Sequence, residues 1–241
     1  MPLGKAKDVF REHFGRVGLN TAILSLGLTE GRKLIEKEGN FWWMRGTQDI
    51  VAAIGQQEYT IEDGGDFDIA NFKDARFLMQ KESQESNWSP IDLGVTDQEE
   101  LDMVYDDDDE GEPERAVIEN ATVRLYPPLP DKAYDLRLYY YEWTDNPTDN
   151  TDTDDLLKNW GMAVCYGAII WGFEMQLKDH QGAQYWRTLL GGQPFGRGGE
   201  IAKLKRENFK RDWKDRIMLT PYTGAGKASR RSLNNLQIYC R

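Results

Sequence analysis

Histidine and cysteine are nearly absent from this sequence, with two of each in 241 residues. A three-histidine zinc centre, a four-cysteine site and a disulfide framework therefore cannot be assembled. The thin cysteine content fits a reducing compartment. Long apolar runs are missing as well. The longest, Trp160 to Phe173, has 14 residues and stops at Glu174, whereas a membrane-spanning helix needs about 20. No basic-then-apolar leader opens the chain. The expectation is a soluble protein with no membrane association. A hydrophobic share of 39%, 12% of it aromatic as a fraction of the chain, supplies a real core and argues against global disorder.

Charge is present in quantity and is segregated. There are 41 acidic and 30 basic side chains, for a formal charge of -11. Residues 61–157 hold 28 Asp/Glu and 7 Lys/Arg, a net of -21, while residues 200–241 hold 11 Lys/Arg and 4 Asp/Glu, a net of +7. An acidic middle and a basic end point to parts with different neighbours.

Periodicity divides the chain. Leu19, Ile23, Leu24, Leu28, Leu34 and Ile35 recur at helical spacing, and Gly39-Asn40 suits a stop. Phe41-Trp42-Trp43 cannot all face one side of an element, so they are expected to wedge between two; an exposed platform for a base or sugar is the alternative. Period-two segments follow. Gln57–Ile61 and Ala75–Met79 read as strands, Thr96–Tyr105 as a short helix capped by Thr96, and Asn120-Ala121 as the turn of a hairpin. Tyr134 to Tyr141 is the clearest strand, with Tyr134, Leu136, Leu138 and Tyr140 on one face. Helix returns after Thr144-Asp145-Asn146-Pro147, with Thr151 or Asp152 as its cap. Its stripe is Met162, Tyr166, Ile169, Phe173 and Leu177, and its flanks are apolar too, so it belongs at the centre of a bundle or against another subunit. Further helices are expected over Gly182–Leu190, with Trp186, Leu189 and Leu190 inward, and over Gly199–Ile217, with Ile201, Leu204, Phe209, Trp213 and Ile217 as its stripe. The fold class is α+β: residues 1–46 and 151–217 form a helical body, residues 47–150 an inserted antiparallel β domain, and residues 218–241 an extended arm.

No catalytic constellation stands out. Gly191–Gly199 lacks the preceding strand and the Gly-Lys-Ser/Thr ending of a phosphate loop, and Pro194 removes an amide from any cradle. Asp145–Asp155 lacks the glycine and closing glutamate of a calcium loop; it and Asp106–Glu110 read as solvated charge runs. His13 and His180 read as surface residues, Cys165 as a core hydrophobe and Cys240 as exposed. No cofactor or metal is expected. The basic tail from Lys227 to Arg241 carries Leu233, Leu236, Ile238 and Tyr239, which phosphate binding does not need. That mixture suits an arm that orders on a protein partner by strand addition. A competing reading makes Tyr139, Tyr141 and Trp143 an exposed platform of a carbohydrate- or fibre-binding β module; a carboxylate hydrolase is a third.

Phe41–Thr47, Gly55–Tyr59, Arg124–Pro127, Tyr134–Tyr140 and Asp154–Leu157 leading into Trp160, in that order, resemble the head-to-tail adaptor proteins (connector, head-completion or tail-tubular type) of short-tailed bacteriophages. The resemblance spans about Thr21 to Asp215. It implies a non-enzymatic virion protein of the neck, assembled in the host cytoplasm: a homo-oligomeric ring, a dodecamer, between the portal protein and the tail nozzle or fibres. It also implies an arm that contacts the portal, with Tyr222, Arg230, Arg231, Leu236, Ile238 and Tyr239 as its contact residues. Tyr166, Ile169, Ile170, Trp171 and Phe173 are the expected subunit-interface or core-helix residues. Genomic DNA would pass through the ring without sequence-specific contact, and a negative lumen would let it pass without sticking.

Overall fold

A computed structural model describes residues 1–14, 20–82, 85–93, 98–106, 108–192 and 198–219, with backbone alone for 213–219. Two helices open the chain, α1 (Leu3–Phe14) and α2 (Thr21–Glu36). Asn20 caps α2 by accepting from Ala22 N at 3.0 Å, which satisfies one of the free amides of the first turn. A 3₁₀ turn, Trp42–Met44, then leads into strands β1 (Arg45–Ala52), β2 (Glu58–Glu62), β3 (Phe67–Asp68), β4 (Phe72–Glu82) and β5 (Ser89–Leu93). Short helix α3 (Gln98–Asp102) and strands β6 (Glu110–Gly111), β7 (Arg115–Glu119), β8 (Thr122–Tyr126), β9 (Leu129–Pro130) and β10 (Tyr134–Glu142) complete the insertion. The chain closes with α4 (Asp155–Trp171), a π-helical turn (Gly172–Leu177), α5 (His180–Gly191) and α6 (Glu200–Leu219). The fold is therefore α+β.

Eight strands form one curled sheet in the order β1-β10-β4-β5-β7-β8-β2-β3, and the end strands β1 and β3 approach each other without hydrogen bonding. The pairing is not purely antiparallel, as the sequence suggested: β5–β7, β2–β3 and the separate β6–β9 pair run parallel. The chain between Leu93 and Arg115 contains α3 and β6, a connection long enough to bring β7 back in the direction of β5. Alternation in β10 is as expected: Tyr134, Leu136, Leu138 and Tyr140 are buried in the sheet's own core with Tyr59, Phe67, Leu78 and Val123.

A second apolar core lies among the helices and includes Phe10, Leu24, Leu28, Ile35, Phe41, Met44, Leu156, Val164, Ile169 and Leu204. Phe41, Trp42 and Trp43 do wedge: Phe41 is buried and stacks on Trp43 at 4.6 Å, with Trp42 edge-on. The centre of this body is α4, packed against α1, α2 and α5. Its buried face differs from the expected stripe. Met162 is exposed, whereas Ala163, Val164, Gly167 and Ala168 are buried, because α2 comes too close for large side chains. A Cβ on Gly31 would lie 2.5 Å from Val164 O and Ala168 N, and one on Gly167 would lie 2.7 Å from Gly31 O. The cap of α4 is Asp154, which accepts from Leu157 N at 2.7 Å, rather than Thr151 or Asp152. On α6, Ile201 and Leu204 are buried but Phe209 is 64% exposed, so the expected stripe ends at Leu204; the side chains of Trp213 and Ile217 lie outside the described residues. The expected cap Thr96, residues 193–197 of the glycine-rich joint and the whole of 220–241 also lie outside them.

Two substitutions test this packing. Gly31→Ala should cost about 1–3 kcal/mol by overpacking the α2–α4 contact. The hairpin turn places Asn120 at φ 47 and Ala121 at φ 59, so Ala121→Gly should add about 1 kcal/mol by relieving left-handed strain at a residue with a Cβ. Denaturant midpoints at unchanged slope check both.

Candidate interaction surfaces

The surfaces this protein offers are oriented by a buried polar junction between the helices and the sheet. Arg32 and Glu36 lie one turn apart on the face of α2 that looks into the core, and they are 1% and 0% exposed. Arg32 spends three donors there: Nε on Asn146 Oδ1 at 3.1 Å, Nη1 on Thr144 Oγ1 at 2.7 Å, and Nη2 on the Asp154 carboxylate. Glu36 accepts from Trp43 Nε1 and Thr144 N, each at 3.2 Å, and from the Thr144 hydroxyl. Asn146 donates onward to Thr29 Oγ1 at 3.0 Å. Lys73, from β4, donates to the carbonyls of Glu36 and Gly39 while lying 4.8 Å from the Trp143 ring. The side chains that accept hydrogen bonds from Arg32 among the described residues come from residues 144–154, between β10 and α4. Burial raises the Glu36 carboxyl above its usual 4.5, against hydrogen bonds from Thr144 and Trp43 and the charge of Arg32. Burial likewise lowers the Lys73 ammonium, against the pull of Glu36 and Asp74.

Three surfaces lie outside this junction. On the outer face of β1, β10 and β4, Asp49 accepts from Arg137 Nε and Nη2 at 2.7 and 2.6 Å, and Lys81 pairs with Asp135 at 2.9 Å. These are directly opposed residues in the strand register. Trp88 lies over both cations, 4.3 Å from the Arg137 guanidinium and 5.2 Å from Lys81 Nζ, and the groove beneath it has a volume of about 470 Å³. All four charges are paired with one another, so the ladder knits three strands together. It is balanced in charge and selects no ligand by sign.

On the helical body, Tyr166 of α4 meets Trp186 of α5 at 5.5 Å, Tyr185 and His13 stand edge-on to Trp186, and Met162 and Tyr185 are exposed. This is an aromatic surface suited to another protein. The third surface is α6, which beyond Leu204 has no buried apolar side chain among the described residues. It is held by polar contacts: Lys205–Glu38 at 2.9 Å, Asn208 to both Asn40 O and Trp42 N, Arg211 3.9 Å over the Trp42 ring, and Asp212–Arg45.

The expected interface residues separate here. Ile169 and Ile170 are buried inside the protomer, so they are core and cannot face another subunit. Tyr166, Trp171 and Phe173 are partly buried against the same core, Phe173 edge-on to Phe14 at 5.7 Å. The arm residues Tyr222, Arg230, Arg231, Leu236, Ile238 and Tyr239 lie outside the described residues. The platform of Tyr139, Tyr141 and Trp143 does not exist: Tyr141 is 8% exposed and belongs to the helical core, Tyr139 packs on Phe77 at 4.3 Å, and Trp143 is covered by Lys73. Tyr141 faces away from the sheet core because period two puts it opposite Tyr140, and the helices occupy that side. Cys165 is fully buried and its thiol is pushed up to about 12 by desolvation. Among the described residues no helix is long and apolar enough to cross a membrane, and no group of three acidic, histidine or cysteine side chains is placed to hold a metal.

Residues 20–204 match the family model described as SU10 adaptor protein. No curated protein matches the chain. The matched span runs from the cap of α2 to Leu204 of α6, taking in the whole sheet and the polar junction.

Arg32→Ala should destabilise the fold by about 3–5 kcal/mol, since it strands buried partners, and Arg32→Lys should not restore it because an ammonium cannot serve the same fork of acceptors. Urea unfolding reads both. A carboxyl with a raised native pKa binds its proton more tightly when folded, so the Glu36 contribution is full below 4.5 and fades as pH rises through the raised value. The difference in unfolding free energy between wild type and Glu36→Gln should therefore change across that window and level off above it.

Proposed function

Since the chain belongs to the SU10 adaptor protein family, whose members are phage structural adaptors, we propose that it is the head-to-tail adaptor of a short-tailed bacteriophage. In this reading it is a non-enzymatic ring, a dodecamer, seated between portal and tail nozzle, and the phage genome passes through its lumen. The observation that carries the reading is the family match across helices, sheet and junction together, because it covers the unit whose geometry is fixed rather than one module of it. The charge distribution supports it: a head-to-tail ring closes on complementary surfaces, and the chain has a -21 segment and a +7 segment to offer. The aromatic surface around Tyr166, Tyr185 and Trp186 is a subunit contact in this ring, a role that the buried Ile169 and Ile170 cannot fill. The basic arm, with Arg230 and Arg231, contacts the portal. An acidic lumen repels the phosphate backbone and lets DNA slide.

Mixing the purified chain with portal should give a complex whose mass by light scattering exceeds that of portal alone, with a cap of density in electron micrographs. Arg230→Glu with Arg231→Glu should weaken that co-assembly at least about tenfold. Bare portal in the mixture, with no effect of deleting residues 221–241, would refute the adaptor role. Reversing charges that line the ring should slow genome ejection; unchanged ejection kinetics would remove the lumen argument.

A further inference from the structure

Two exposed apolar sites on this protomer sit in surroundings of opposite charge. Short helix α3 and the turn after it are pinned at two points: Leu101 is buried, and Tyr105 packs on Tyr126 at 5.7 Å. Between these anchors Met103 and Val104 point into solvent, 84% and 67% exposed. Backbone bonds from Met103 N to Glu99 O, and from Val104 N and Tyr105 N to Leu101 O, fix the turn that carries them. Their surroundings are acidic: residues 98–114 hold ten Asp/Glu and no Lys/Arg. Glu99, Glu100, Asp106, Asp108 and Asp109 are exposed, and among the described residues none of them is ion-paired.

Helix α6 carries the counterpart. Asn208, Arg211 and Asp212 face the body, where they hold Asn40, Trp42 and Arg45. Phe209 points the other way and is 64% exposed. At helical spacing Arg206 lies one turn before it on the same side, with Lys210 next to it. Both cations are exposed, and among the described residues neither is ion-paired. Residues 203–211 hold five Lys/Arg and one Glu. A single exposed apolar side chain is ordinary; here each is ringed by unpaired charge of one sign, and the two signs are opposite. Both sites are open in the same protomer, so neither covers the other. Helix α3 lies over β8 through Tyr126 and Arg124, five places from β1 in the sheet order, whereas α6 lies at the start of β1.

We propose that Phe209 of one copy of this chain seats against Met103 and Val104 of the next, with Arg206 and Lys210 facing Glu99, Glu100 and Asp106. The apolar centre excludes water, and the charges around it set orientation and encounter rate. A twofold arrangement is disfavoured, because it would set carboxylates against carboxylates or cations against cations. The two patches differ and lie on different parts of one chain, so the contact is heterologous and repeats from copy to copy, as a closing ring requires. It rests on the ring reading and gives that ring two named faces.

The test uses the full chain assembled on portal from a mixture of copies labelled with light and heavy nitrogen. Carbodiimide joins an amine to a carboxylate without a spacer. It should link Lys210 to Glu99 or Glu100, and mass spectrometry should find the link between light and heavy copies. Lys210→Arg keeps the charge and should remove the link while the ring persists. Phe209→Asp, or Arg206→Glu with Lys210→Glu, should weaken ring formation at least about tenfold. Adding Glu99→Lys and Glu100→Lys to the second of these should restore it. A ring with no such link, a link confined to single copies, or a charge exchange that restores nothing overturns this contact and leaves the ring reading standing. A wild-type chain that stays single on portal overturns the ring and the contact together.

Discussion

Arg32 and Glu36 cannot be buried on α2 until residues 144–154 are folded against them, and that requirement organises the molecule. Removing an ion from water costs several kcal/mol even after relaxation, and attraction to a partner offsets it only when the remaining donors and acceptors are also satisfied. Arg32 meets the condition through three side chains more than 110 positions away in sequence, and Glu36 through Thr144 and Trp43. None of those partners is local to α2 except Trp43. The helical core around Arg32 is therefore complete only when the whole β insertion has returned the chain to it.

The return point is also where α4 begins. Asp154 accepts from Leu157 N and pairs with Arg32, so one carboxylate starts the central helix and closes the junction. From there α4 runs in contact with α2 at Gly31 and Gly167, a separation that only backbone can occupy. On the other side of the junction, Lys73 ties β4 to the end of α2, and Tyr141 carries β10 into the helical core. Sheet and helices are thus joined by polar bonds that specify orientation and by apolar contacts that do not. A part of an assembly that must present several surfaces at fixed angles is served by that combination.

Much of this was legible in the residues, and the exceptions have physical causes. The strand Tyr134–Glu142 announced its faces because period two is unambiguous when four aromatics and leucines alternate with polar residues. The hairpin at Asn120-Ala121 was legible because two short β runs flanked a two-residue turn. The buried face of α4 was misread because apolar side chains surround that helix; which face lies inward was decided by where glycine and alanine let α2 approach, and hydrophobicity does not encode that. The parallel β5–β7 pair was missed because a sequence pattern gives a strand's faces but not its direction. The junction did leave a trace: on α2, position 32 falls on the same face as Leu24, Leu28 and Ile35, and a charge there calls for a buried partner. Thr144 and Asn146 gave no such sign, since a polar segment ahead of a proline reads as a linker whether or not it is buried. Ile169 and Ile170 could not be divided between core and interface by sequence, because both demand the same apolar side chains.

The two charged attachments of this protein differ in strength for the same electrostatic reason. At the junction Arg32 and Glu36 are buried, so each partner they lose leaves a desolvated charge behind. Along α6 they are half-exposed: Lys205 and Glu38 share their pair with water, as do Arg211 and the Trp42 face. Exposed pairs contribute roughly 0–1 kcal/mol each and weaken with salt over a Debye length of about 8 Å. Past Leu204 no buried apolar side chain adds to them among the described residues. Holding α6 by such contacts keeps it in register with Glu38–Arg45 while leaving little to overcome when a stronger surface competes for it. The junction is held by two buried charges, and α6 past Leu204 is held by pairs that water and salt can replace.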